Sequence, residues 1–136
     1  MEDKKISISA PIHFDHTAPN IIQLTAFGNS WPAVYIINNK HEAYIGETTN
    51  APVRISQHLE NPHRNKLDSI RILSSDTFNK SVALDLEAFL ISHMSADGHF
   101  RLQNGKKSRI PICSNIHPTN LLLLTNIWQS DRLLAG

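Results

Sequence analysis

The sequence predicts an α+β domain, a small central antiparallel three-stranded sheet flanked by helices. Three observations predict it. Two apolar runs at 33–37 and 43–46 are rich in β-branched and aromatic residues, and the polar Asn38-Asn39-Lys40-His41-Glu42 joins them, which is the pattern of a β-hairpin. A third run, 67–73, carries Ile70 and Ile72 on one face of a strand. Two further stretches, 50–60 and 79–95, repeat apolar residues at helical spacing. Short strands interleaved with helices lead to a sheet with helices packed on it.

Each element has a local reason. Before the hairpin, Ile6, Ile8 and Ile12 alternate loosely like a strand, and Ile21, Ile22, Leu24 and Phe27 are spaced like a short amphipathic helix over 19–27. Trp31-Pro32 leads into the first hairpin strand. Asn50 caps the next helix, where Pro52 is tolerated because it lies in the first turn, with Val53, Ile55 and Leu59 on the core side. Asn61-Pro62 ends that helix, and His63 to Lys66 form a polar loop. In the helix over 79–95, Val82, Leu86, Phe89, Leu90 and His93 make the buried stripe, and Asp97-Gly98 stops it. A segment over 100–104 precedes a polar turn at 105–108. A last helix starts near Thr119 and includes Leu121, Leu124, Ile127 and Trp128.

At 136 residues, with 40% hydrophobic and 18% charged content, the chain can bury a core as one globular domain over 1–136. The single cysteine, Cys113, excludes a disulfide framework and points to a reducing compartment. Residues 1–5 lack the apolar stretch of a signal peptide, and the longest aliphatic run, 121–124, is too short to span a membrane, so a cytoplasmic protein is expected. A net charge of +1 is low for a tight, autonomous nucleic-acid binder. The basic residues nonetheless cluster, with Arg101, Lys106, Lys107 and Arg109 in one group and Arg64 and Lys66 in another; each group is a solvated surface or a set of phosphate contacts.

Several residues could carry chemistry. Tyr35 and Tyr44 lie on adjacent strands where side chains of one face meet, though alone they read as ordinary strand aromatics. Arg54 and His58 share a helix face at i,i+4 spacing, which alone describes an exposed polar face. An Arg in that position suits phosphate, and a His can exchange a proton near neutral pH. Glu87 sits at the edge of the apolar stripe, where a carboxylate must be paired or bind a cation such as Mg²⁺. Asp85 falls outside the stripe and reads as solvated. Asn104 reads as a loop or turn residue. His13 and His16 lack the further ligands a structural zinc needs, and His93 reads as a hydrogen-bonded core residue.

Taken together these residues resemble the GIY-YIG nuclease superfamily. Ala33-Val34-Tyr35 resembles its first motif and Tyr44-Ile45-Gly46 its second. Arg54 and His58 match the helix pair, Glu87 matches the metal-binding carboxylate, and Asn104 matches the late Asn. The resemblance covers about residues 32–105, leaving N- and C-terminal extensions. Ala33 replaces the first Gly of the motif, and Glu47 adds a carboxylate directly after Gly46. The wording around Asp97-Gly98 and Leu102-Gln103-Asn104 is similar to bacterial members joined to an NTPase- or helicase-like region. The resemblance implies a metal-dependent endonuclease acting on DNA with Mg²⁺ (or Mn²⁺). Glu87 would hold the ion, Tyr35 would be the general base assisted by Tyr44 and His58, and Arg54 would lower the phenol's pKa and stabilise the phosphorane. Asn104 would position the phosphate or a neighbouring side chain. The alternative is a non-catalytic DNA-binding or protein-docking module that retains the fold.

Overall fold

In the computed structural model, which describes residues 7–24 and 30–104, the chain runs through nine elements. These are β1 (Ser7–Ile8), β2 (Ile12–His13), α1 (Ala18–Gln23), β3 (Ala33–Asn38), β4 (Glu42–Thr48), α2 (Ala51–Leu59), β5 (Ser69–Ser74), α3 (Lys80–Asp97) and β6 (Arg101–Leu102). The expected antiparallel trio forms the centre, with β3 between β4 and β5. The sheet is larger and mixed, however, because two-residue strands extend it to six. β1 and β2 both pair antiparallel with β5, while β6 runs parallel to β4. Such short strands carry no period of their own. They form because an exposed sheet edge leaves backbone donors and acceptors unpaired. Arg101 N–H donates to the His41 carbonyl at 2.7 Å and Gln103 N–H to that of Ala43 at 2.8 Å, which covers the β4 edge.

The hairpin turn is built by Asn39, whose Oδ1 accepts from the backbone of His41 at 2.8 Å and of Glu42 at 2.7 Å. Alternation along β3 then sorts its side chains between two faces. Val34 and Ile36 join Ile45, Leu73, Leu86, Phe89 and Leu90 beneath α3. Ala33, Tyr35 and Ile37 join Ile22, Ile55, Ile70 and Ile72 beneath α1 and α2. Ala33 through Ile37 are therefore all buried, which explains a continuous apolar run in a strand sandwiched between helical layers.

Both main helices begin where capping chemistry predicts. Asn50 Oδ1 accepts from Val53 N at 3.4 Å and Asn79 Oδ1 from Val82 N at 2.9 Å, while Gly98 ends α3 with φ of 75°. Their buried faces differ from the expected stripes. Val53 is 52% exposed, and the core side of α2 is Ala51, Ile55 and His58. In α3 residues 85–91 are buried without a break. Asp85, expected in solvent, is therefore 4% exposed, because the middle of this helix is covered beyond its sheet-facing stripe. His93 is instead exposed and rests edge-on against Phe89, with ring centroids 4.0 Å apart. Of the described members of the expected α1 apolar set, Ile22 is buried, and Ile21 and Leu24 face solvent.

Among the described residues no helix is long and apolar enough to cross a membrane. Ile6, Phe27, the turn at 105–108, the basic residues Lys106, Lys107 and Arg109, and the helix expected from Thr119 lie outside the described residues.

Candidate active site

The antiparallel register places Tyr35 opposite Gly46 and Ile37 opposite Tyr44, so the two tyrosines are diagonal neighbours on the same face. Their ring centroids are 6.3 Å apart. Gly46 is what lets the Tyr35 ring lie across β4. A Cβ at that position would stand 2.2 Å from the Tyr35 hydroxyl oxygen and 2.4 Å from Cζ. A glycine inside a strand is the sequence signal for such a close approach.

α2 lies over this face and sets His58 against both rings. His58 is 6% exposed, so burial overturns the solvent-face reading for this residue. Its ring stands 5.4 Å from that of Tyr35 and 5.0 Å from that of Tyr44. Its Nε2 lies 2.6 Å from the Tyr35 hydroxyl. Burial, and then the charges of Arg64 and Arg54, push the imidazole down to about 4. A neutral imidazole keeps one acceptor nitrogen, and in the tautomer protonated at Nδ1 the Tyr35 O–H donates to Nε2.

Arg54 pulls the Tyr35 phenol down as expected, but the net shift is upward. Tyr35 is fully buried, and desolvation pushes the phenol above its ordinary value. The Arg54 guanidinium hydrogen-bonds the phenol and pulls the other way, while the charges of Tyr44 and Glu87 add to the upward shift. Burial wins because a fully buried phenolate loses more hydration than one solvent-exposed arginine returns. Arg54 itself remains at the exposed rim, where it also donates to Gln57 Oε1 at 3.1 Å. The same contact with Tyr35 raises the pKa of Arg54 above its ordinary value.

Glu87 lies on α3. It is 8% exposed, and its charge is felt at Tyr35. Among the described residues no group of three or more His, Cys, Asp or Glu could hold a metal ion. A single buried carboxylate still fits a hard divalent cation that keeps several waters and takes substrate oxygens. Glu47, the added carboxylate, pairs with Lys80 at 3.0 Å, which offsets its charge near the site.

Asn104 binds the backbone of β4. Its Oδ1 accepts from Ile45 N at 2.9 Å and its Nδ2 donates to the Ile45 carbonyl at 2.6 Å. The amide thus pins β4 between Tyr44 and Gly46. Of the expected nucleic-acid contacts, Arg64 comes next to the cluster, with its guanidinium 3.9 Å above the Tyr44 ring. Lys66 and Arg101 instead converge on Glu42, Lys66 at 3.0 Å. Gln103 Nε2 adds a 3.0 Å hydrogen bond to the same carboxylate, and the contacts with Arg101, Gln103 and Lys66 hold Glu42 down at about 2. Sequence reasoning missed this clasp because its members lie far apart in the chain.

The GIY-YIG catalytic domain family matches residues 32–99, half of the chain. Neither curated proteins nor solved structures give a significant match.

Proposed function

The chain belongs to the GIY-YIG catalytic domain family, a nuclease-type endonuclease family, and from that premise we propose that it is a metal-dependent endonuclease hydrolysing DNA phosphodiester bonds. The observation that carries this reading is the buried Tyr35–His58 hydrogen bond of 2.6 Å, with Arg54 on one side and Glu87 within electrostatic reach.

Arg54 at the rim holds the scissile phosphate through paired N–H donors and stabilises the charge that builds on its oxygens. Glu87 would hold one Mg²⁺ or Mn²⁺, which when bound polarises the phosphate and stabilises the leaving oxygen. Tyr35 acts as general base by relay, because a phenol with a raised pKa does not wait as phenolate. As the attacking water loses a proton to the phenol oxygen, the phenol proton passes to His58 Nε2. The new oxygen–phosphorus bond forms, the bond to the leaving oxygen breaks, and the proton on His58 is released in a later step. Substrate binding strengthens the relay. The two cations that depress His58 are Arg64 and Arg54, and phosphate anions of the bound strand offset their charge. Tyr44 packs against His58 and orients its ring. The low net charge of +1 fits a catalytic unit brought to DNA by an NTPase- or helicase-like region, fused or associated.

A nicking assay on supercoiled plasmid with Mg²⁺ or Mn²⁺ tests the reading. Cleavage is expected in the wild type and is abolished by EDTA and by Glu87→Ala. Tyr35→Phe, which removes only the relay oxygen, lowers the rate by about 10²–10⁴-fold. Equal residual activity in wild type and Glu87→Ala sinks the enzyme assignment. Tight DNA binding without cleavage across several metals favours a docking module.

A further inference from the structure

Beside the tyrosine–histidine cluster lies a concavity of about 330 Å³, lined by Glu42, His63, Arg64, Lys66, Arg101 and Gln103 among others. Its only carboxylate is already engaged. Glu42 Oε1 meets Arg101 and Lys66, and Oε2 meets Lys66 and Gln103. Three cations against one neutralised carboxylate leave the cleft positive. Gln103 ties the rim further by donating to the His63 carbonyl at 2.7 Å.

Arg64 is the odd member. It is half-buried, no carboxylate pairs with it among the described residues, and its Nε is buried without a hydrogen-bond partner. Its guanidinium lies over Tyr44 at 3.9 Å. Stacking covers one flat face of a guanidinium and leaves the N–H donors at its edge, in the geometry that accepts two oxygens of one phosphate. The Tyr44 ring that carries Arg64 is also 5.0 Å from His58, so the same arginine walls both the cleft and the proposed catalytic cluster. With Arg64 over that ring, a nucleobase cannot stack there. The charge in the cleft therefore meets the strand's backbone.

We propose that this cleft binds a second backbone phosphate of the DNA strand, next to the scissile one, and that Arg64 is the residue that holds it. The assignment rests on the endonuclease reading above. It makes the Glu42 clasp a scaffold that keeps Lys66 and Arg101 near the phosphate without letting a free carboxylate repel it. Tyr44 becomes the platform that sets the distance between the two phosphates.

The experiment is fluorescence anisotropy of a labelled DNA oligonucleotide in EDTA, where nothing is cut, over a salt series. Wild type is compared with Arg64→Ala, Arg64→Gln and Arg64→Lys, alongside plasmid nicking with Mg²⁺. Loss of one phosphate contact makes the slope of log affinity against log salt shallower by about 0.9 for duplex DNA. Affinity falls about tenfold in Arg64→Ala and Arg64→Gln, equally for unrelated DNA sequences. Arg64→Lys restores the slope but not the full affinity, since an ammonium neither stacks nor offers paired donors. Thermal melts identify any variant that fails to fold; if Arg64→Ala does, Arg64→Gln supplies the slope. Wild-type cleavage with an unchanged slope and affinity in the folded variants overturns the second-phosphate site alone. A wild type that neither binds nor cuts DNA overturns the endonuclease reading and this site together.

Discussion

Gly46 shows how much a single position governs in this site. Tyr35 crosses β4 directly over it, and the 2.2 Å approach of an added Cβ to the hydroxyl leaves no room for even a methyl group. The obstacle is the rigid end of an aromatic ring that is itself fully buried, so the ring cannot swing into solvent. Gly46→Ala should therefore lose about 1–3 kcal/mol in a denaturant titration, the usual cost of over-packing. It should also lose plasmid nicking, because displacing the ring breaks the Tyr35–His58 hydrogen bond. An alanine variant with wild-type stability and activity would show that Gly46 is not the seat of the ring. At this scale the sequence was legible in kind but not in state. Tyr35, Tyr44, Arg54, His58 and Glu87 were identifiable by type and order. That His58 is buried and neutral, and that Tyr35 is pushed up instead of down, depends on side chains packed from elsewhere.

Among the elements, the one that most needs its neighbours is β4. On one side it pairs with β3 along its length, and on the other, among the described residues, β6 and the Asn104 side chain cover it. Asn104 supplies one donor and one acceptor to Ile45, whose side chain is completely buried. Asn104→Ala leaves that N–H and C=O without these partners, and unmade bonds to buried groups cost about 1–3 kcal/mol each. The variant should melt earlier, with faster hydrogen exchange at the Ile45 amide than at Ile36 or Ile37 on the central strand. Protection at Ile45 equal to wild type would mean that the side chain is dispensable for the edge. The hairpin, α2, α3 and β5 were legible because alternation, helical spacing and capping Asn residues are local signals. β1, β2 and β6 were not, since two residues have no period and form only when a sheet edge is already present. The stripes of α2 and α3 were right in the main but wrong at Val53 and His93, which are exposed, for the same reason. Spacing says which residues share a face, not which faces are covered.

For the whole molecule, two shifted groups tie stability to pH in the same direction. His58 falls from its ordinary 6.5 to about 4 in the folded protein, so the unfolded chain binds its proton first as pH drops. Stability is full above about 6.5 and declines through the window down to about 4. Glu42 falls from 4.5 to about 2, so the stabilisation from its clasp is present above 4.5 and is lost as pH falls towards 2. Acid unfolding should therefore begin with His58 and finish with Glu42. Thermal melts across pH 7 to 2 should lose the early decline in His58→Gln and the late one in Glu42→Gln. An unchanged early decline in His58→Gln would show that the imidazole is not buried neutral.

The order and spacing of residues alone determined the central antiparallel strands, the two asparagine-capped helices and the identity of the groups that carry the family match over 32–99. Those features follow from interactions between residues close in sequence. Only the tertiary structure decided which of those groups are dry and that Tyr35 and His58 share a hydrogen bond. It also turned Asn104 to the backbone, engaged Glu42 with Lys66 and Arg101, and set Arg64 on Tyr44. Desolvation and charge pairing depend on what arrives from distant parts of the chain, and the distance from Glu42 to Arg101 or from Tyr35 to His58 closes only when the sheet and its helices have packed.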